Sequence, residues 1–249
     1  MIQAEFSFYA ELNDFLPPQR RQVSFVYHLK EKASIKDTIE AIGVPHTEVD
    51  LIAVNGESVD FAYLVGDGDR IAVYPISASR DIELNSLVRP SPLQQVQFVL
   101  DVHLGKLVMS LRLLGFDALY RNDYDDEELA EISSREGRIL LTQDRGLLKR
   151  SIVTYGYYVR SSDPQQQVGE VLRRFDLFEA IAPLRRCVRC NGVLESVTKA
   201  EIGDRLPPLT QKYYDEFARC LSCERLYWKG AHYEGIQKSI DHWQSLATK

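Results

Sequence analysis

Phe98-Val99-Leu100-Asp101, Phe116-Asp117-Ala118-Leu119-Tyr120, Arg138-Ile139-Leu140-Leu141-Thr142-Gln143-Asp144 and Tyr155-Gly156-Tyr157-Tyr158-Val159-Arg160 follow one another in the middle of this chain. Their lengths and apolar content read as four strands. Each ends at or just before an acid: Asp101, then Asp123, Asp125 and Asp126, then Asp144, then Asp163. Helical patterns separate the first three. Leu104, Leu107, Val108, Leu111 and Leu114 keep helical spacing up to Gly115, and Asp125 with Glu128 opens a second helix that ends at Gly137. Strands joined by helices lie parallel, with their C-terminal ends on one edge, where open α/β sheets bind ligands. Carboxylates gathered there suit hard divalent cations, and so phosphodiester hydrolysis.

Each acid has a plainer reading. Asp101 precedes a helix and reads equally as its N-cap, although a buried strand-end carboxylate needs a cation nearby, and Lys106 is one helical turn on. Asp144 reads as a turn residue that the Thr142 hydroxyl orients. Asp123, Asp125, Asp126, Glu127 and Glu128 suit a solvated helix start. Asp163 reads as the cap of a helix from Pro164 to Phe175. The shared edge carries the argument. His103 stands where a haloacid-dehalogenase-type phosphatase needs its second aspartate, which demotes that reading.

All four cysteines fall late, as Cys187-x-x-Cys190 and Cys220-x-x-Cys223. Paired C-x-x-C units without an export signal read as a structural tetrahedral zinc site, ahead of a redox pair or an iron–sulfur site. The 29 residues between the pairs exceed the usual ribbon gap, so an inserted helix or long loop is expected. Asn191-Gly192 is expected to turn the first knuckle, with Gly192 supplying positive φ. Lys plus Arg against Asp plus Glu is 7 to 12 over residues 1–80, 12 to 16 over 81–182 and 11 to 8 over 183–249. Only the tail is basic, so a polyanion is expected there. Its aromatics, among them Tyr213, Tyr214, Phe217, Tyr227 and Tyr233, either stack on bases or pack the ribbon. Trp228, Lys229, His232 and Arg225 are the expected RNA contacts. No apolar run reaches membrane-span length and no basic leader opens the chain, which predicts a cytoplasmic protein without membrane association.

Residues 1–80 read strand, strand, helix, strand, strand: Ile2 to Tyr9, Gln22 to Tyr27, Ile35 to Ile42 with Ser34 as N-cap, Leu51 to Val54 running into Asn55-Gly56, and Arg70 to Tyr74. This unit resembles the ubiquitin-like β-grasp of sulfur-carrier proteins. Their chemistry needs a terminal Gly-Gly, whereas here Pro75 runs on into Ser77-Ala78-Ser79-Arg80. A docking module for a protein partner remains. Residues 81–95, with Pro90-Ser91-Pro92, read as a linker.

Asp101-x-x-Leu104-Gly105-Lys106-Leu107, Leu111-Arg112-Leu113-Leu114-Gly115-Phe116-Asp117, Arg138 to Arg145, Ser161-Ser162-Asp163, both cysteine pairs and Tyr227-Trp228-Lys229-Gly230 together resemble the Mut-seven C-terminal RNase domain, a PIN-like nuclease fold that a β-grasp unit precedes in many bacterial members. The resemblance implies an α/β protein with three domains: β-grasp at 1–80, PIN-like RNase at 96–182 and zinc ribbon at 183–240. It implies a Mg²⁺- or Mn²⁺-dependent endoribonuclease with Asp101, Asp126 and Asp144 as metal ligands, Thr142 as an orienting group and Lys106 or Arg145 on the phosphate. The alternative is a non-catalytic RNA- or protein-binding adaptor on the same fold. The nuclease core is expected to survive loss of the zinc ligands.

Overall fold

The computed structural model describes residues 1–230 and 233–248. The N-terminal strands are β1 (Ile2–Phe8) and β2 (Phe25–Leu29), followed by α1 (Ile35–Ile42), β3 (Leu51–Val54), β4 (Glu57–Ser58), β5 (Arg70–Tyr74) and a short α2 (Ile76–Ser79). Then come β6 (Gln97–Leu100), α3 (Gly105–Leu113), β7 (Asp117–Leu119), α4 (Asp126–Glu136), β8 (Ile139–Thr142), α5 (Arg145–Leu148), β9 (Gly156–Tyr158) and α6 (Pro164–Phe175). The last part holds β10 (Leu194–Val197), α7 (Lys199–Ile202), α8 (Pro208–Tyr213), β11 (Phe217–Cys220), β12 (Leu226–Trp228) and α9 (Tyr233–Gln244).

The chain divides into two compact units, 1–94 with 126–158, and 95–125 with 159–249. In the first, a five-stranded sheet runs β2-β1-β5-β3-β4, with β1 and β5 parallel at its centre and antiparallel pairs outside them. Alternation in β1 sends Ala4, Phe6 and Phe8 inward, where they meet Ile35 and Ile39 of α1. The Ser34 hydroxyl caps α1 by accepting from the N–H of Asp37 at 3.0 Å. This is the ubiquitin-like arrangement.

The linker is no loose tether. Val88 joins the same core, and the Asp50 carboxylate clasps Arg89 at 2.7 and 2.5 Å and accepts from the Ser79 hydroxyl. The Ser86 hydroxyl donates to the Asp50 carbonyl. Asp50 is 5% exposed, so removing its carboxylate strands the buried Ser79 hydroxyl and releases Arg89. Asp50→Ala is expected to cost about 2 kcal/mol, after discounting for the half-exposed Arg89, as a lowered urea midpoint with unchanged slope.

Residues 126–158 pack into this unit. β8 pairs in parallel with β9. Tyr158 sets its ring edge-on to Phe15 at 5.4 Å, and its N–H donates to buried Glu48 at 2.6 Å. The ring nitrogens of His46 lie 2.6 Å from Glu40 and 2.9 Å from the carbonyl of Val153.

In the second unit β6 pairs in parallel with β7, and α3 packs on α6. Asp163 caps α6 by accepting from the N–H groups of Gln165 and Gln166. β10, β11 and β12 form an antiparallel ribbon. Between the cysteine pairs, β10 and the start of β11 flank two helices, α7, which opens with a capping box of Thr198 and Glu201, and α8. α9 buries Ile240 and Trp243.

Candidate metal centre and active site

The thiols of Cys187, Cys190, Cys220 and Cys223 lie within 4.8 Å of one another, and none forms a disulfide. Cys187 is 3.7 Å from Cys223 and Cys190 3.5 Å from Cys220. A tetrahedron with zinc–sulfur bonds of ~2.3 Å has edges of ~3.8 Å, so the four donors fit that ion. The two knuckles match each other. The N–H of Asn191 donates to the carbonyl of Cys187, and that of Glu224 to the carbonyl of Cys220, both at 2.9 Å. The N–H of Cys190 and of Cys223 each reach the sulfur three residues back at 3.5 Å.

The positive φ falls at Asn191 (69°) and Glu224 (54°), not at Gly192 as expected. Asparagine tolerates that region through its short polar side chain. Gly192 is needed for room: a Cβ there would stand 2.5 Å from Ser222 Oγ and 2.8 Å from Cys220 Sγ. Gly192→Ala is therefore expected to weaken metal binding about ten-fold in competition with a chelator, with the ribbon still folded at saturating metal.

Burial pushes the Cys187 thiol up, but hydrogen bonds from the Tyr227 hydroxyl, 3.0 Å away, and from backbone N–H groups outweigh it and hold the thiol down at about 6. Cys190 goes the other way. Desolvation and the neighbouring sulfurs push it up to about 12. Without metal the cluster therefore favours thiolate on Cys187 over Cys190, and metal binding must expel protons.

Asp101 directly follows β6, is 5% exposed, and accepts from the N–H of His103 at 2.9 Å as cap of the next turn. Lys106 is exposed in the first turn of α3. Thr142 is fully buried at the end of β8, and its hydroxyl accepts from the N–H of Asp144 at 2.9 Å. Asp144 is exposed and caps α5 through the N–H of Gly146 at 2.6 Å. Asp126 is exposed at the first position of α4, and Asp123 pairs with Arg121. Asp101 and Lys106 belong to one compact unit, and Asp126, Thr142, Asp144 and Arg145 to the other. The guanidinium of Arg145 donates to the carbonyls of Phe15 and Asp14 and stacks over Phe15.

The tail's aromatics and cations divide. Phe217 is core, Tyr227 faces Cys187, and Tyr213 and Trp228 are exposed. Two clefts of about 600 Å³ flank Trp228. Arg225 is exposed, whereas Lys229 pairs with Glu216 and Arg219 with Glu195. His232 lies outside the described residues. Arg112 and Asn191 carry a connection that the sequence reading missed. The signal for Arg112 was its place four residues after Val108, on the apolar stripe of α3.

Parallel strand pairs linked by helices, a ubiquitin-like sheet and a four-thiol cluster define an α/β protein of the PIN-like type with a ribbon carrying a metal-ligand set. The chain belongs to the Mut7-C RNase domain family: the model of the Mut7-C RNAse domain matches residues 96–240, and that of the Mut7-C ubiquitin domain matches residues 1–81. It is similar to a human protein named exonuclease mut-7 homolog, 30% identical over 155 residues that make up 60% of this chain and 16% of that protein. No solved structure matches. Among the described residues no helix is long and apolar enough to cross a membrane.

Proposed function

We propose that this protein is a Mg²⁺- or Mn²⁺-dependent endoribonuclease whose ribbon holds one structural Zn²⁺. Membership of an RNase domain family, joined to an acid just past the C-terminal end of β6 and another just past that of β8, each strand belonging to its own parallel pair, carries the reading. Asp101 and Asp144 are the proposed metal ligands and Asp126 a supporting acid. Their hard carboxylate oxygens suit a small divalent cation. When bound, that cation supplies Lewis acidity and a water of lowered pKa.

The chain's own side chains prepare the site. The buried Thr142 hydroxyl holds the backbone at Asp144, so the carboxylate leaves β8 in a set direction. The turn after β6 holds Asp101 Oδ1 through the N–H of His103. Lys106 is the proposed phosphate contact. Arg145, bound to carbonyls of the ubiquitin-like domain, is better suited to holding residues 126–158 on that domain. Trp228 and Arg225 are proposed to hold RNA beside the scissile bond, with His232 and Lys229. The ubiquitin-like domain is proposed to dock a protein partner, and the cytoplasm is the proposed compartment.

A circular single-stranded RNA tests the activity, because it offers no end to an exonuclease. Linear products that form with Mn²⁺ and fail to form without it are expected. The cations engaged by acids in the ribbon favour the adaptor as the second reading. Mn²⁺ titration followed by thermal melting separates the two: a rise in Tm that saturates with Mn²⁺ supports the metal site, and an unmoved Tm the adaptor.

A further inference from the structure

The first cysteine knuckle is fastened to the strand pair that carries Asp101. The Asn191 side chain donates to Asp117 Oδ1 at 2.7 Å and accepts from the N–H of Ala118 at 3.0 Å. It thereby satisfies the outer edge of β7, whose other edge pairs with β6. Arg112 is 4% exposed and reaches three carbonyls, Ala118 of β7 at 2.9 Å and Val188 and Arg189 of the knuckle at 3.3 and 2.9 Å. Four thiolates on one Zn²⁺ leave two negative charges in excess, and this buried guanidinium lies against the loop that carries them. Just past β7, the Tyr120 hydroxyl donates to the carbonyl of Val102 at 2.9 Å, inside the turn that Asp101 caps. Every link in this series lies within the second compact unit.

We propose that the Cys187–Cys190 knuckle braces the Asp101 turn, acting through Asn191 and Arg112 on β7 and through Tyr120 on the turn itself. Asn191 and Tyr120 are then positioning residues for the carboxylate site. Metal loading fixes the knuckle, the knuckle fixes the edge of β7, and β7 delivers Tyr120 to Val102. A catalytic meaning for the brace rests on the reading of Asp101 as a metal ligand; the mechanical coupling does not.

Amide hydrogen exchange on the full chain tests it. Withdrawing zinc with a chelator is expected to speed exchange about ten-fold at Ala118, His103 and Leu104, while the amides of β1 and β5 keep their protection. Tyr120→Phe, which loses one hydroxyl, is expected to speed His103 and Leu104 with zinc still bound and Ala118 unchanged. Asn191→Asp puts a carboxylate against Asp117 and is expected to loosen β7, and the reciprocal pair Asn191→Asp with Asp117→Asn to restore it. In zinc-loaded Tyr120→Phe, Mn²⁺ affinity is expected to fall about five-fold. Unchanged exchange at residues 101–120 after zinc withdrawal would overturn the brace, as would protection lost equally from β1 and β5. If the coupling is seen and Asp101→Asn still cleaves RNA at the wild-type rate, the nuclease reading fails and the brace stands.

Discussion

Asp101→Asn and Asp144→Asn are each expected to lower RNA cleavage in Mn²⁺ by ~10²-fold or more. A carboxylate ligand contributes several kcal/mol of transition-state charge stabilisation through the ion it holds, and that converts to a factor of this size. Both variants should remain folded for a local reason. Asparagine is as good an N-cap as aspartate, and its oxygen still accepts from His103 in one case and Gly146 in the other. The substitution removes charge and leaves the cap. Asp126→Asn is expected to cost less, since Asp126 is proposed as a supporting acid and not as a principal ligand. Thr142→Val keeps shape and loses the acceptor for the Asp144 N–H, so an intermediate loss is expected. Circular RNA cleavage and a circular-dichroism melt check the set. Wild-type cleavage by both folded asparagine variants would remove these acids from the mechanism.

Replacing Cys220 and Cys223 together with Ser should release about one zinc per chain and unfold the ribbon. A three-stranded ribbon whose core is Val197, Ile202, Leu206 and Phe217 has too little apolar area to fold unaided. Metal binding is worth on the order of 10 kcal/mol in such sites and supplies the difference. The loss should also reach α3 and β7, because Arg112 and Asn191 lean on the knuckle. The nuclease core as a whole is still expected to survive, with the loosening confined to these contacts. The ubiquitin-like sheet should keep its melt. RNA affinity should fall, and the rate at saturating RNA with it. Acidification should mimic the substitution in part: Cys190, pushed up to about 12, must shed its proton to bind metal, so zinc affinity falls as pH falls. Zinc per chain by plasma emission, measured against pH, checks the sign. Unchanged RNA affinity in the zinc-free protein would leave the ribbon a structural role alone.

Much of the architecture was legible in the residues themselves. The helical spacing of Leu104 to Leu114, the alternation of Ile2 to Phe8, the caps at Ser34 and Asp163 and the stop at Gly115 are short-range consequences of local chemistry, and each element stands within about three residues of its sequence reading. The cysteine spacing announced a four-thiol cluster for the same reason, since a knuckle is a local turn. Asp101 and Asp144 were legible as strand-end acids. The sequence could not reveal which long-range partners would meet the remaining polar groups. Asp50 and Asn191 look like ordinary surface residues, and only its place on the α3 stripe marks Arg112, yet each is at least 94% buried. Arg145, read with Lys106 as one of two candidates for the phosphate contact, donates to the carbonyls of Phe15 and Asp14, partners that no local pattern announces. A buried polar group takes whichever partner the packing of distant segments brings within 3 Å, and that depends on the whole fold. Periodicity and capping are written in neighbouring residues, whereas the strap on Asp50 and the brace through Asn191 come into being only when segments 39 and 73 residues apart meet.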